Sequence, residues 1–351
     1  RTLTALTSSY QRDAEGISWE VLCIDNGSDL PLEEDWIKSF GPQFRLIRPS
    51  RKLPSPCFAM NEAARLARGR YIALMIDGAH VVTPGAIREA ADAFAERPDA
   101  IVGLRQWFFG GDQRWLSAAS YTREMEDILF GKIDWPNAGY RLFEVSTPMM
   151  PSANSWFDSA SESNCLFVPS TLFEELGGYD EAFDIPGGGL SNLDLFSKAA
   201  AAASDVVMLV GEASFHQFHG GTTTNVDNDK KDSLVRSYLN DFKRMRGEKL
   251  KHVESESMRF RGRMPTQQGA LMRQRPVFSG SIGVTDRIRF ADHYHYFDSG
   301  AEKYVIGFAV ENGMFDVCNW LGQPTGVGAG DLLSVQEILH SRRPTRVIAV
   351  N

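Results

Sequence analysis

The sequence predicts an α/β protein built on a largely parallel sheet, and three observations support this class. Short apolar runs alternate with amphipathic stretches through the first half of the chain, which is the pattern of strand–helix–strand units. Two apolar runs end directly at an aspartate, Asp25 and Asp77. The 351 residues are 43% hydrophobic and 23% charged, as in ordinary globular proteins. Because ligands in open α/β sheets bind at the carboxyl ends of strands, the two aspartates mark a candidate site.

The elements of the first half follow one another in a regular order. Apolar runs predict strands, and stretches with one apolar face predict helices. Pro84 precedes the second helix, in keeping with the preference of proline for the first helical turn. The expected strands are 19–24, 44–47, 71–76 and 100–104, the expected helices are 59–68 and 85–96, and 110–158 is expected to be loop-rich.

The second half continues the pattern and then changes composition. Strands are expected at 163–168 and 206–210, and helices at 172–176, closed by two glycines, and at 193–203. Residues 226–290 then contain 15 basic and 8 acidic side chains, against a net charge of −8 for the whole chain. The acids mixed into this stretch favour a solvated helical connector over a nucleic-acid interface. The acidic total likewise argues against a nucleic-acid partner.

The cysteines indicate the redox setting of the protein, and the chain ends indicate that the sequence is a fragment. The four cysteines are far apart and show no CxxC spacing, so neither a disulfide framework nor a zinc knuckle is expected, and a cytoplasmic, reducing setting is the default. No apolar run reaches the length of a membrane span. The chain begins at Arg1 and ends on the strand-like run 346–351. We therefore expect a fragment that lacks material at both ends.

Three polar groups are candidates for chemistry. Asp77 and His80 stand three residues apart after an apolar strand, where a carboxylate and an imidazole can converge on manganese or another first-row metal. The alternative is a turn cap beside a solvent-facing histidine. His216 and His219 form a second polar cluster at a strand end and could also belong to a site. The alternative is that one of these histidines is packed in the core and the other is exposed, without a role in chemistry.

The third group is acidic and could supply a general base. It consists of Asp180, Glu181, Asp184 and Asp194. Acidic side chains at the junctions of loops and helices also serve as helix caps and surface charges. The sequence leaves both roles open for each of these residues.

Five segments, taken in order, resemble glycosyltransferase family 2, which has the GT-A fold. They are Cys-Ile-Asp-Asn-Gly-Ser at 23–28, the Ala-Met-Asn-Glu-Ala-Ala run at 59–72, Ile-Asp-Gly-Ala-His at 76–85, Leu-Gly-Gly-Tyr-Asp-Glu at 176–183 and Phe-His-Gln-Phe-His-Gly-Gly at 215–221. The resemblance covers about residues 1–226. It implies a Rossmann-like fold with a mixed central sheet and an N-terminal strand missing from this chain.

The resemblance also implies an activity: transfer of a sugar from a nucleotide-diphosphate donor to an acceptor hydroxyl, usually with inversion, in polysaccharide or glycan biosynthesis. The turn at Asp25, with Asn26 and Ser28, corresponds to the part of the family that contacts the nucleotide base. Asn61 and Asp77 belong to the same implied donor site. Asp77 corresponds to the first aspartate of the Asp-x-Asp motif.

Two positions depart from the family pattern. Ala79 stands where the second aspartate of the metal motif is expected, so the implied ligands of a Mn or Mg ion are Asp77, His80 and His219. Asn192 stands where the family carries the aspartate proposed to deprotonate the acceptor, and an amide cannot accept that proton. Asp194 is retained at the next acidic position of the motif, and Asp180 or Glu181 could substitute as the base.

A second, shorter resemblance begins near residue 294. Trp-Leu-Gly at 320–322, Asp-Leu at 331–332, Gln-Glu-Ile at 336–338 and Arg-Pro at 343–344 look like the start of a cephalosporin hydroxylase-like, methyltransferase-type domain. The glycine-rich turn that would hold S-adenosylmethionine would follow Val350, so this cofactor is implied only for a complete C-terminal domain.

The sequence thus predicts three parts: a GT-A glycosyltransferase domain at 1–226, a basic helical connector at 227–290 and a partial methyltransferase-like domain at 291–351. The expected partners are a nucleotide-sugar donor and a glycan, lipid-linked or small-molecule hydroxyl acceptor. Peripheral contact with the inner face of the membrane is compatible with these expectations. The alternatives are a non-catalytic sugar-nucleotide binding module and a nucleotidyltransferase.

Overall fold

The computed structural model describes residues 1–75, 78–111, 113, 121–149, 159–219, 228–262, 319–320 and 323–324. The chain divides into two compact units, residues 1–265 and residues 266–351.

Short strands and helices alternate along the chain from the first residues onward. The strands are β1 Val21–Ile24, β2 Phe44–Ile47, β3 Tyr71–Leu74, β4 His80–Val82, β5 Ile101–Phe109, β6 Ser146–Pro148, β7 Leu166–Pro169, β8 Val206–His216, β9 Met258–Gly262, β10 Asn319–Trp320 and β11 Gln323–Pro324. The α-helices are α1 Thr2–Ala5, α2 Glu34–Lys38, α3 Cys57–Leu66, α4 Ala86–Glu96, α5 Arg123–Lys132, α6 Ser170–Glu175, α7 Ser191–Ala202 and α8 Asn228–Arg246. Short 3₁₀ helices lie at Gly139–Val145, Pro186–Gly188 and Ser255–Ser257.

The central sheet has seven strands and is mixed. Five of them run in the order β3-β7-β5-β8-β4, with β6 paired to β5 and β9 paired to β8. The β5–β8 and β8–β9 pairs are parallel, and the other pairs of this sheet are antiparallel. Strands β1 and β2 form a separate parallel pair. The alternation of elements predicted a largely parallel sheet and was wrong on this point, because β3, β4, β6 and β7 all run against their neighbours.

The two central strands extend further than the sequence predicted. Strand β5 continues to Phe109 and β8 to His216, with a shift of register near Gly103. Every residue of β8 is buried. A strand covered on both faces has no alternating polar pattern, so its carboxyl end is hard to recognise in the sequence. His216 is therefore the last residue of the central strand β8, and it lies at the carboxyl end of this strand, where a ligand would bind.

Helix α5 was not predicted, since 110–158 was expected to be loop-rich. Thr122 is its N-cap and accepts a hydrogen bond from the backbone N–H of Met125 at 3.4 Å. The helix is predominantly polar, and its buried residues are Glu126, Leu129 and Phe130. So narrow an apolar stripe leaves little periodic signal in the sequence.

The first compact unit extends through residue 265 and so includes α8 and β9. Strand β9 runs parallel to β8 and pairs with its first half. Phe242 of α8 and Met258 of β9 are buried in the same core as Tyr179 and Phe196. Part of the expected connector therefore completes the sheet and its core, because β9 pairs with β8 and α8 buries Phe242 in the same core.

Little of the second unit belongs to the described residues. Its β10 and β11 pair in antiparallel orientation. The rest of the predicted methyltransferase-like segment, 291–351, lies outside the described residues. Among the residues that the structure describes, no helix combines the length and the apolar character needed to cross a bilayer.

A buried carboxyl group joins β8 to the start of α4. Glu212 is 4% exposed, and its Oε1 accepts a hydrogen bond from the Tyr140 hydroxyl at 2.7 Å. Gly85 at the N-cap of α4 makes room for this pair, since a Cβ there would lie 2.5 Å from Glu212 Oε1. Burial raises the pKa of Glu212 to about 7, although hydrogen bonds from Thr83 and Tyr140 oppose the rise.

This raised pKa predicts a pH-dependent effect of Glu212→Gln. The folded state holds the proton more tightly than the unfolded chain, so this stabilisation is complete below pH 4.5 and is lost as the pH rises to about 7. Relative to wild type, the variant should gain about 1.4 kcal/mol of unfolding free energy per pH unit across this window. Urea denaturation at pH 5, 6, 7 and 8 measures the difference. The exposed Glu175→Gln is the control, and a difference for Glu212→Gln that stays constant over this range would contradict the prediction.

Candidate donor and metal site

Three histidines lie together at the end of the central sheet. His80 begins β4 and His216 ends β8, and the two residues are opposite each other in the antiparallel β4–β8 pair. Their rings are perpendicular with centroids 5.1 Å apart, and both side chains are buried. His219 follows three residues later, and its Nε2 lies 3.0 Å from Nε2 of His216. The two histidine signals in the sequence therefore converge on one place.

The hydrogen bonds around His216 define its tautomer. Gln113 donates its side-chain N–H groups to the carbonyls of Phe109 and His216 at 3.3 and 3.2 Å. The Gln113 Oε1 therefore faces Nδ1 of His216, 3.0 Å away, and accepts a hydrogen bond from its N–H group. With Nδ1 protonated, the lone pair of His216 is on Nε2 and points at His219. Metal-binding histidines are oriented by second-sphere hydrogen bonds of this type.

The spacing of the two imidazoles fits a shared metal ion. Two nitrogens bound to one divalent ion at about 2.0–2.1 Å lie about 2.8–3.4 Å apart for octahedral to tetrahedral angles. The observed separation of 3.0 Å between His216 and His219 falls in this interval. Within the described part of the chain, no three His, Cys, Asp or Glu side chains form a complete ligand set. Asp77, the predicted carboxylate ligand, lies outside the described residues.

The loop that carries His219 is bound to the turn before β4. The Gln217 backbone N–H donates to the Ala79 carbonyl at 2.7 Å. The Gln217 side chain donates to the hydroxyl of Thr2 at 3.1 Å, and this hydroxyl donates to the Gly78 carbonyl at 2.7 Å. The turn of the predicted metal motif and the loop after β8 are thus held as one unit.

A buried carboxyl group of α5 holds the same loop. Glu126 is 1% exposed, and its Oε2 accepts the backbone N–H of Phe218 at 2.7 Å. Its other oxygen accepts a hydrogen bond from the Arg1 guanidinium at 2.8 Å. Burial raises the pKa of Glu126 to about 7, although the hydrogen bond from Phe218 and the charge of Arg1 oppose the rise. The sequence offered no signal for this contact, since α5 itself was missed.

The predicted nucleotide-binding turn is well ordered by Asp25. This carboxylate is buried, and its oxygens accept the backbone N–H groups of Ser28 and Leu32 at 2.9 Å each. Burial alone would raise the pKa of Asp25, but these hydrogen bonds and one from Gly27 outweigh it and hold the pKa below its usual value. Asn26 donates to the Leu53 carbonyl at 2.8 Å, while its buried Oδ1 has no hydrogen-bond partner among the described residues.

Asn61, predicted to contact the donor, joins α3 to the loop before α7. Its amide donates to the Tyr179 carbonyl at 2.9 Å and to Glu181 at 3.1 Å, and its oxygen accepts the Tyr179 N–H at 2.8 Å. Gly178 makes this close approach possible, because it has φ +73° and a Cβ there would lie 2.4 Å from Asn61 Oδ1. Asn61 thereby fixes the loop that carries Asp180 and Glu181.

Two of the predicted bases share a cation. Arg246 of α8 donates to both oxygens of Asp194, at 2.6 and 2.8 Å, and to Asp180 at 2.6 Å. Lys198 also pairs with Asp194 at 2.8 Å. Burial would raise the pKa of Asp180, but the N–H of Ala182 and the guanidinium of Arg246 keep it below the usual value. Both carboxylates therefore bind a cation that joins α7, α8 and the 180–184 loop.

A row of buried amides lies beside the sheet. Asn192 donates to Asn164 Oδ1 at 3.0 Å and to Glu162 Oε2 at 3.3 Å, and it accepts the hydroxyl of Tyr179 at 3.4 Å. Asn164 in turn donates to the side chain of Gln106 on β5. Glu162 was not predicted as a site residue, because it precedes β7 in a segment without a recognisable motif.

Comparison with known proteins supports the interpretation of the first part of the chain. The family model described as Glycosyl transferase family 2 matches residues 1–158. Together with the mixed α/β sheet, this match confirms the predicted GT-A fold class and, for residues 1–158, the predicted glycosyltransferase class. No curated protein matches the chain.

Several solved structures resemble the chain distantly. TarS 1-349 of S. aureus is 12% identical with a TM-score of 0.42, over 100% of this chain and 91% of that one. The same protein in complex with UDP-GlcNAc is 10% identical, with a TM-score of 0.40 over 99% and 89% of the two chains. GalNAc-T7 with UDP, GalNAc and Mn²⁺ is 14% identical, with a TM-score of 0.36 over 82% and 51%. Likeness at this level is too distant to transfer a ligand or a residue role.

Proposed function

We propose that the first unit transfers a sugar, with inversion, from a nucleoside-diphosphate donor to an acceptor hydroxyl in glycan or polysaccharide synthesis. The observation that carries this proposal is the convergence of His216 and His219, whose Nε2 atoms lie 3.0 Å apart at the end of the central sheet. A leaving diphosphate develops negative charge, and groups that hold a cation there stabilise it.

The residues that would hold a metal ion are His216 and His219, together with His80 and Asp77 of the preceding motif. Imidazole nitrogens suit first-row transition metals, and a carboxylate suits manganese and magnesium, so the mixed donor set favours Mn²⁺. A bound divalent ion would supply charge neutralisation for the departing diphosphate. The hydrogen bond from Nδ1–H of His216 to Gln113 leaves Nε2, the nitrogen that faces His219, as the one that would bind the ion.

The nucleotide would bind at the turn after β1. The Asp25 carboxylate holds three backbone N–H groups and so shapes the turn. The neighbouring Asn26 is held in place by its hydrogen bond to the Leu53 carbonyl at 2.8 Å. Ser28 is at the exposed end of this turn and is available to contact the donor.

Donor binding tests this proposal without requiring an acceptor. Thermal melting with Mn²⁺ and saturating UDP, GDP or dTDP should show an increase of about 3 °C or more for one nucleotide. Asp77→Ala should lose most of this increase while its melting temperature without ligand is unchanged. No shift with any of the three nucleotides would contradict the proposal. A shift without any turnover of the corresponding nucleotide sugar would favour the binding-module alternative.

The methyltransferase-like assignment of 291–351 is a proposal of the same kind. It rests on the Trp-Leu-Gly, Gln-Glu-Ile and Arg-Pro segments of the sequence. Any sequence encoded after Asn351 would test it, since a glycine-rich turn is expected there if the domain is present. A continuation without such a turn would exclude S-adenosylmethionine as its ligand.

A further inference from the structure

We propose that Glu126 positions His219 for metal binding by anchoring the backbone of the loop that follows β8. This inference rests on the proposed sugar-transfer function, in which His216 and His219 hold the ion. It adds the residue that keeps the two imidazoles together. Glu126 is a positioning residue, since it acts through the Phe218 backbone and not through contact with the ion.

The first argument is that packing does not hold the side chain of His219. This side chain is exposed, whereas His216 is 5% exposed at the end of β8. The Nε2 atoms of the two rings nevertheless lie 3.0 Å apart. An exposed side chain keeps most of its rotamer freedom, so the place of its imidazole depends on the backbone that carries it. The position of the second metal ligand therefore depends on how the loop after β8 is held.

The second argument is that hydrogen bonds hold this loop from two sides. The Gln217 N–H donates to the Ala79 carbonyl at 2.7 Å, in the turn before β4. The Phe218 N–H donates to Oε2 of Glu126 at 2.7 Å, on helix α5. These two N–H groups belong to consecutive peptide units, and each unit is planar. The two bonds together fix the direction of the backbone directly before His219.

The third argument is that the anchor is itself rigid. Glu126 is 1% exposed, and its Oε1 accepts a hydrogen bond from the Arg1 guanidinium at 2.8 Å. Its Oε2 also accepts the Tyr121 hydroxyl at 3.4 Å. The Tyr121 ring lies against the Phe218 ring, with centroids 6.2 Å apart. Because both carboxylate oxygens have donors, the side chain has one orientation, and a fixed supporting group is what a precise ligand position requires.

The fourth argument separates anchoring from packing. Burial of a carboxyl group is unfavourable, and a leucine of similar size would fill the same space without that cost. Leucine differs from glutamate here in that it offers no acceptor to the Phe218 N–H. The loss of the anchor can therefore be studied in a protein whose core remains filled.

The test compares Glu126→Leu with Glu126→Gln. Both side chains fill the space, and only glutamine retains an oxygen that can accept the Phe218 N–H. Titration with Mn²⁺ alone, followed by electron paramagnetic resonance, should show a Kd raised about tenfold or more in Glu126→Leu and within about threefold of wild type in Glu126→Gln. In the metal-free proteins, hydrogen exchange of the Phe218 amide should be about tenfold faster or more in Glu126→Leu and near wild type in Glu126→Gln.

The control is Leu129→Ala on the same helix. Leu129 is 7% exposed, so this change leaves a cavity and should lower the melting temperature. It does not alter the acceptor of the Phe218 N–H, and the Kd for Mn²⁺ should stay within about threefold of wild type. Glu126→Ala, which also lacks the acceptor, repeats the comparison if Glu126→Leu does not fold.

The outcomes distinguish failure of this inference from failure of the proposed function. If wild type binds Mn²⁺ and the variants without the acceptor bind it equally well, the role of Glu126 is wrong and the metal site stands. An equal loss of Mn²⁺ affinity in Leu129→Ala would overturn that role, because the loss would then follow destabilisation. Equal losses in Glu126→Gln and Glu126→Leu, or unchanged exchange of the Phe218 amide in Glu126→Leu, would overturn it as well. If wild type binds no Mn²⁺, the metal site of the proposed function fails and the role of Glu126 fails with it.

Discussion

Replacement of His219 by alanine should lower nucleotide release from the donor sugar by about 100-fold or more and weaken Mn²⁺ binding by a similar factor. The reason is the 3.0 Å contact between Nε2 of His219 and Nε2 of His216, which places two nitrogen ligands at the spacing of a shared ion. His219 is exposed, so its removal should not unfold the domain. Turnover measures the first effect, and titration of free Mn²⁺ by electron paramagnetic resonance measures the second.

A matched control is available in His252, which is exposed on the same unit. The His252→Ala variant should bind Mn²⁺ and release nucleotide as wild type does. Binding of Mn²⁺ by His219→Ala with wild-type affinity would contradict a role of the histidine pair as metal ligands. Equal losses in both variants would contradict it as well.

Replacement of Arg246 by alanine should lower the free energy of unfolding by about 2–3 kcal/mol. Arg246 pairs with Asp180 and with Asp194, whose side chain is 5% exposed. Loss of the guanidinium removes a positive charge that compensates the negative charge of these two carboxylates. The effect stays below the largest values for buried pairs, because Arg246 is 21% exposed and Lys198 still contacts Asp194. Urea denaturation at pH 7 measures the change.

Arg244 provides the comparison on the same helix. It is 75% exposed and pairs with Asp241 at 3.4 Å, so Arg244→Ala should cost less than about 0.5 kcal/mol. A cost for Arg246→Ala no larger than that of Arg244→Ala would contradict the structural role of the ion pairs. In that case Asp194 and Asp180 would again be candidates for the base, as the sequence predicted.

Much of the fold could be predicted because local signals agreed with the final packing. Strand β2 lies at the predicted residues 44–47, and helix α4 begins one residue after the predicted start, behind Pro84. Strand direction could not be predicted in the same way. The antiparallel pairs β3–β7 and β4–β8 join segments that are far apart in the sequence. The pattern of apolar and polar residues within one strand does not indicate which strand it pairs with or in which direction.

The candidate site could be predicted only in part. The spacing of His216 and His219 at a strand end was visible in the sequence, but their mutual orientation depends on Gln113 and on Glu126 of the unpredicted helix α5. Asp180 and Asp194 stood out as acidic residues, yet their common partner Arg246 is on α8, more than 50 residues away.

The most direct test of the sugar-transfer function is release of nucleoside diphosphate by the wild-type chain from UDP-, GDP- and dTDP-sugars in the presence of Mn²⁺. We predict that one nucleotide sugar is turned over, that chelation of Mn²⁺ with EDTA stops the reaction, and that His219→Ala is about 100-fold slower while His252→Ala is unchanged. Absence of release from every sugar, or equal rates for wild type and His219→Ala, would contradict the function proposed for this site.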